Sequence, residues 1–193
     1  NPFDLVLDIN LGEYKISQLF NINPILYEFI KTGLLFNNNI SLNTSISANS
    51  NTKSDIFQDA KINFHIANGK VDFDNSKFTN DNIGSLELKN NNLLFKNKNL
   101  ILNTDILIDI KDSNNLFSFL NTNKSLRKDL KKILINLEYS FLSNQIKFNN
   151  VKIDNNEISE ELLKIIEGFE VSNLNNINKS RRLANELLQA YSG

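Results

Sequence analysis

Catalytic chemistry in this chain would have to begin at His65, the only histidine among 193 residues. If Asn68-Gly69 closes a two-residue hairpin, His65 stands opposite Asp72. A carboxylate beside an imidazole can orient the ring or tune its pKa. No third group lies at a spacing that would complete a triad, so an ordinary cross-strand surface pair is expected. The carboxylate sets Asp72/Asp74, Asp105/Asp109 and Glu160/Glu161 raise the thought of a two-carboxylate glycosidase. They fall at alternating or capping positions, however, which solvated faces explain. Cysteine is absent, which removes the thiol nucleophile, the zinc finger and the iron–sulfur cluster. The six glycines are scattered, so no loop cradles phosphate. No catalytic, cofactor-binding or metal-ligating residue is assigned, and a non-enzymatic protein is expected.

Charge narrows the partners. Twenty-one basic and 22 acidic residues leave a formal charge of −1, which offers no field to draw nucleic acid. The densest basic cluster is Lys124, Arg127, Lys128, Lys131 and Lys132. It lacks aromatic residues placed to stack bases, and a solvated helix face is expected. Contact with anionic headgroups or a partner domain is the sharper alternative. With 40% hydrophobic residues and 14 phenylalanines, the chain can bury a core. Asn1 is not a start methionine, so a fragment of a longer chain is expected. No stretch approaches about 18 uninterrupted apolar residues, so no transmembrane helix is expected.

The elements that would position these residues are mostly strands. Phe3–Asn10 alternates well enough for one strand. Glu13–Phe20 and Asn23–Lys31 read as helix, the second opened by Asn23-Pro24 and stopped by Gly33. From Leu34 to Asp154 the dominant period is two. Lys61 to Ala67 alternates strictly into Asn68-Gly69, a strong hairpin signal. That turn sets Ala67 against Lys70, Ile66 against Val71, Phe64 against Phe73 and Asn63 against Asp74. By the same logic Asn90-Asn91 closes a hairpin that sets Leu88 against Leu93 and Leu86 against Phe95. Asn97 to Asn99 marks the next turn, and Leu100–Ile110 a long strand. Ser143-Asn144 returns the chain with Phe141 facing Ile146 and Tyr139 facing Phe148. A parity switch predicts a bulge near Asn149-Asn150.

Helices interrupt and end the pattern. Ser113 would cap a short helix carrying Leu116, Phe117, Phe119 and Leu120, and Ser125 a second carrying Leu126 and Leu130. Glu160–Glu167 follows Ser159, and a last helix spans Ser180–Tyr191. The linker Ser172–Asn178 reads as loop. Three regions result. Residues 1–54 hold a strand, the helical segment and a connecting strand. Residues 55–154 hold the antiparallel sheet with a helical insertion at 113–131. Residues 155–193 hold the C-terminal helices. The fold class is mainly β with α additions, a curved antiparallel meander with short helices at its ends. The 36 asparagines owe much to AT-rich codons, but many fall where the alternating pattern needs a turn.

A sheet with one apolar face must cover it, and the helices are few for so many strands. The face is expected to carry Phe64, Ile66, Val71, Phe73, Leu86, Leu88, Ile106, Ile108, Ile135, Leu137 and Tyr139. They would form either a closed core or an open surface for an apolar ligand. An open surface points to phospholipid acyl chains as partners. A closed core points to a structural or adhesive domain that holds proteins together.

The stretch from Lys61 to Asp154 resembles the C-terminal region of AsmA-like proteins. The resemblance rests on Asn68-Gly69-Lys70-Val71-Asp72-Phe73, Asn75-Ser76-Lys77-Phe78 and Leu86-Glu87-Leu88. Leu100-Ile101-Leu102 and Ile106-Leu107-Ile108-Asp109-Ile110-Lys111-Asp112 continue it. The insertion Leu116-Phe117-Ser118-Phe119-Leu120, the basic residues Lys124 and Arg127, Ile135 to Phe141 and the closing Val151-Lys152-Ile153-Asp154 complete it. The resemblance implies a periplasmic location with an inner-membrane anchor outside this chain. It also implies an apolar β-groove that carries phospholipids between the bacterial inner and outer membranes. Upstream β-segments of the same protein, and membrane or envelope proteins, would be its further partners.

Overall fold

The computed structural model describes residues 3–12, 32–50, 56–96, 99–141, 143, 145–167 and 177–192. One sheet contains ten strands: β1 (Phe3–Leu11), β2 (Ile40–Asn49), β3 (Asp59–Ala67), β4 (Lys70–Asp72), β5 (Ser76–Asn80), β6 (Gly84–Lys96), β7 (Asn99–Ile110), β8 (Lys132–Ser140), β9 (Gln145–Ile153) and β10 (Asn156–Glu157). Among the described residues three α-helices accompany it: α1 (Ser113–Leu120), α2 (Glu160–Glu167) and α3 (Ile177–Ser192). The fold is mainly β with α additions. From β2 to β10 the chain is an antiparallel meander. β1 instead pairs parallel with β2, so the sheet is mixed and not wholly antiparallel. Parallel neighbours need a crossover connection, which residues 12–39 supply. The helices expected over 13–20 and 23–31 lie outside the described residues. β1 and β10 stand at opposite ends of the strand order, so among the described residues the sheet does not close into a barrel.

Asparagine chemistry sets most of the junctions. The hairpin at Asn68-Gly69 forms as the pattern predicts, with both residues at positive φ and His65, Ile66 and Ala67 facing Asp72, Val71 and Lys70. The pairing stops there, because Asn63 bonds Ser76 and the Asn75 carbonyl and does not face Asp74. β4 and β5 share one slot between β3 and β6, broken at residues 73–75.

Asn90-Asn91 does not close a hairpin. It is a bulge within the single long strand β6, which pairs with β7 on both sides of it. A two-residue loop and a one-residue bulge both shift the apolar positions from even to odd numbers. The left-handed φ of 52° at Asn90 serves either. The turn near Asn97 does join β6 to β7, since Lys96 faces Asn99.

The β8–β9 turn is wider than expected. Tyr139 faces Ile146 and Leu137 faces Phe148. Phe141 leaves the β8–β9 ladder because its N–H donates to the Leu100 carbonyl, and Ser143 folds back onto the Ser140 hydroxyl. The predicted bulge is present at Asn149, between the Asn136–Asn150 and Leu137–Phe148 pairs.

Helix boundaries moved for local reasons. Asp112, not Ser113, caps α1, its carboxylate accepting from the Asn114 and Asn115 N–H groups at 2.8 and 3.1 Å. A carboxylate is the better partner for a helix N-terminus. Ser125 starts no helix. Lys124–Leu126 is a single 3-10 turn capped by Asn123, and extended chain then carries Leu130 into a cluster with Phe117 and Leu188. α2 has the predicted limits. α3 starts at Ile177 rather than Ser180, so Asn178 is helical. Asn costs only a few tenths of a kcal/mol there, against the packing of Leu188 and Tyr191 further along.

Gly84 starts β6 at φ 146°, where an added Cβ would collide with the Asp109 carbonyl oxygen. Gly84→Ala is expected to cost at least about 2 kcal/mol of unfolding free energy, because neither backbone can give way. Urea denaturation of the variant against the parent measures it.

Candidate functional site

Residues directly opposite in a ladder share a face. One row therefore runs through Leu42, Ile66, Val71, Leu93, Leu102, Tyr139 and Ile146. A second runs from Ile9 through Ile46 to Ile62, and from Ser76 through Leu88, Ile106 and Ile135 to Val151. Every member of that second row is apolar except Ser76. Eight strand positions at about 4.8 Å spacing make it roughly 34 Å long. The opposite face carries Asn43, Lys61, His65, Glu87, Asp105, Asn136 and Lys147. The sheet is thus apolar on one side and mostly polar on the other, where Leu94, Ile101, Leu107 and Leu134 are aliphatic exceptions.

Ten of the eleven expected residues lie on the apolar face by register. Phe73, in the break between β4 and β5, joins it through ring contact with Phe64 at 5.1 Å between centroids. Ile66, Val71 and Leu137 are buried. Phe64, Phe73, Leu86, Leu88, Ile106, Ile108, Ile135 and Tyr139 are half-buried. Sequence reasoning left out Ile62, Leu102, Ile133, Ile146 and Phe148, which share the face. The same alternation that selected their neighbours marks them.

Both ends of the face are closed. At one, the turn Leu34–Phe36 buries Leu35 on Ile66, Val71, Leu93 and Leu100, and Phe36 stacks on Phe95 at 6.0 Å. A cavity of about 500 Å³ beside it is lined by Phe36, Gly69, Leu93 and Phe95 among others. At the other end, Phe117, Leu130 and Leu188 pack with Ile110, Ile153 and Tyr191. Two of the five basic residues expected on a solvated helix face, Arg127 and Lys128, instead fasten this cap, while Lys124, Lys131 and Lys132 are exposed. The Arg127 guanidinium donates to the Thr122 carbonyl at 3.1 and 3.2 Å. Lys128 donates to the Tyr191 carbonyl at 3.2 Å and sits over its ring. A second cavity, of about 510 Å³, lies between α1 and α3 beside Arg181 and Asn185. There Arg182 pairs with Glu186 at 2.7 Å, and the hydrogen bond and charge of Glu186 raise its already high pKa.

Between the two closures a polar line crosses the apolar face. The Asn91 N–H and side-chain amide both donate to Asp74, at 2.9 and 2.7 Å, and the Thr104 hydroxyl donates to the Asn91 side-chain oxygen Oδ1. Thr104 and Asn91 are buried. Thr44 sits on the same face with a buried hydroxyl that has no hydrogen-bond partner. On the opposite face Asp105 accepts from Asn90 and Asn136 at 2.6 Å each.

The predicted chemistry finds no assembled site. His65 Nδ1 lies 3.6 Å from Asp72, and both side chains are well exposed. Among the described residues, no group of three or more carboxylates and histidine is placed to hold a metal ion, and no helix is long and apolar enough to cross a membrane. No known protein family, curated protein or solved structure matches the chain.

Asn91→Ala keeps the backbone N–H bond to Asp74 but removes the side-chain amide donor to it and the acceptor of the buried Thr104 hydroxyl, and a loss of about 1–3 kcal/mol is expected. In a double-mutant cycle with Thr104→Val, denaturant midpoints should give a coupling energy above about 0.5 kcal/mol.

Proposed function

We propose that this chain is a non-enzymatic lipid-handling domain whose apolar sheet face holds phospholipid acyl chains. The observation that carries the reading is the transverse row through Ile46, Ile62, Leu88, Ile106 and Ile135. It is apolar along almost its whole length, belongs to one layer of sheet, and keeps its side chains half-buried between two closed ends. A bilayer's hydrocarbon core is about 30 Å thick, so an acyl chain of one leaflet needs roughly half of a 34 Å row. Each methylene removed from water contributes about 0.8 kcal/mol. Ile66, Val71 and Leu137 support the face from within, and the eight half-buried residues make the contacts.

The resemblance to AsmA-like proteins extends the proposal. In that setting the domain is one segment of a longer apolar surface in the periplasm, which carries phospholipids between the inner and outer membranes. Neighbouring β-segments and envelope proteins would continue the path.

Ile106 faces Ile135 on the apolar side, and the next pair along, Leu107 and Leu134, points to the polar side. Purified protein is expected to carry phospholipid detectable by mass spectrometry, or to take it up from phosphatidylethanolamine and phosphatidylglycerol vesicles. The double variant Ile106→Ser/Ile135→Ser should lose roughly tenfold or more of that lipid, from several buried methylenes per site. Leu107→Ser/Leu134→Ser should keep it, with both variants folded by circular dichroism. Absence of lipid from the folded parent, or equal loss in both variants, rules the reading out.

A further inference from the structure

The long free edge of the sheet carries a second kind of information. β1 ends the strand order, and it leaves Phe3 64% and Val6 66% exposed, with Leu5, Leu7 and Ile9 also open. At the opposite edge β10 has two residues and covers only Lys152 and Ile153 of β9, whose remaining outer side carries Lys147 and the bulge at Asn149. Native edges are usually blunted by lysine, proline, bulges or shortness. β1 has no lysine, proline or bulge over its nine residues, and Asp4 and Asp8 are the only charges it sets on that edge.

The hydrogen-bonding direction of this edge follows from β2, its partner among the described residues. The Phe3 N–H donates to the Asn39 carbonyl at 2.7 Å, on the β2 side. Alternate residues of a strand point their backbone groups to opposite sides, so Asp4, Val6, Asp8 and Asn10 send theirs outward.

We infer that β1 pairs antiparallel with β1 of a second copy of this chain, on a two-fold axis through Leu7. Charge selects that register. With Leu7 facing its symmetry mate, Asp4 faces Asn10 and Val6 faces Asp8. A shift of two residues one way sets Asp4 against Asp8, and the other way sets Asp8 against itself. Like charges directly opposite are unfavourable, so both shifts are penalised. In the selected register the outward groups form roughly eight inter-strand hydrogen bonds. Phe3, Leu5, Leu7, Ile9 and Leu11 of the two copies meet on the apolar side. The two sheets become one, and their apolar faces become continuous. This pairing does not depend on whether the face binds lipid.

The chain has no cysteine, so a single introduced thiol reports one distance. The Leu7–Leu7 pair is non-hydrogen-bonded, which brings its Cα atoms to about 4.5 Å, within disulfide range. Val6 and its mate are offset by two residues, beyond about 7 Å. Under mild oxidation Leu7→Cys is expected to give a covalent dimer and Val6→Cys to give none. Light scattering should show the parent as a concentration-dependent dimer. Val6→Asp, which sets two pairs of carboxylates face to face, should weaken that dimer roughly tenfold, while Val6→Lys should not weaken it. Val6 is exposed in the single chain, so folding is not at stake in either variant. A parent that stays monomeric at its solubility limit overturns the inference. So does crosslinking of Val6→Cys as fast as Leu7→Cys, or equal weakening by Val6→Asp and Val6→Lys.

Discussion

The structure depends on keeping one parity across a broken sheet. Side chains alternate strictly along a strand, so a slip of one residue moves every apolar group to the wrong face. β3 meets a strand with an extra residue at 73–75, and β7 meets another at Asn90-Asn91. The two irregularities lie side by side, and the Asp74–Asn91 bonds tie them together. Because each extra residue is absorbed at one line, Leu86 and Leu88 stay on the same face as Leu93 and Phe95. The apolar surface is continuous because a polar lock runs through it.

Five of the six non-glycine residues with positive φ among the described residues are asparagines: Asn68, Asn75, Asn90, Asn121 and Asn155. Asparagine tolerates the left-handed region and can bond locally. Here it closes the β3–β4 hairpin and, beside Asp154, the β9–β10 hairpin, ends one helix and relieves two bulges. A composition that codon usage can account for thus supplies the conformations this fold uses most.

Much of the sheet was legible in the sequence because alternation is a direct physical consequence of the pleat. The Asn68-Gly69 hairpin came with its register, since the turn residues and the pattern agreed. The apolar face was legible for the same reason, down to which residues of β3, β6, β7 and β8 share it. The Asn90-Asn91 bulge was not, because it changes parity in the same way as a hairpin does. Only the distant pairing with β7 separates them. The parallel placement of β1 left no local signal, since Phe3 to Asn10 reads the same beside any neighbour. Which parts of the face stay accessible was also beyond the pattern. Ile66 and Ile106 look alike in sequence, and the turn carrying Leu35 decides that one is buried.

The connectivity also ranks the order of assembly. Every strand from β2 onward pairs with a neighbour close in sequence, so those contacts close short loops. β1 must wait for a crossover of almost thirty residues before Leu11 can meet the strand of Ala48, and loop-closure entropy makes that step the slower one.

 The Leu11–Ala48 pair is therefore among the last contacts to form, and the meander exists first as a sheet that ends at β2. During that interval the bare edge is β2, whose unpaired backbone groups await β1.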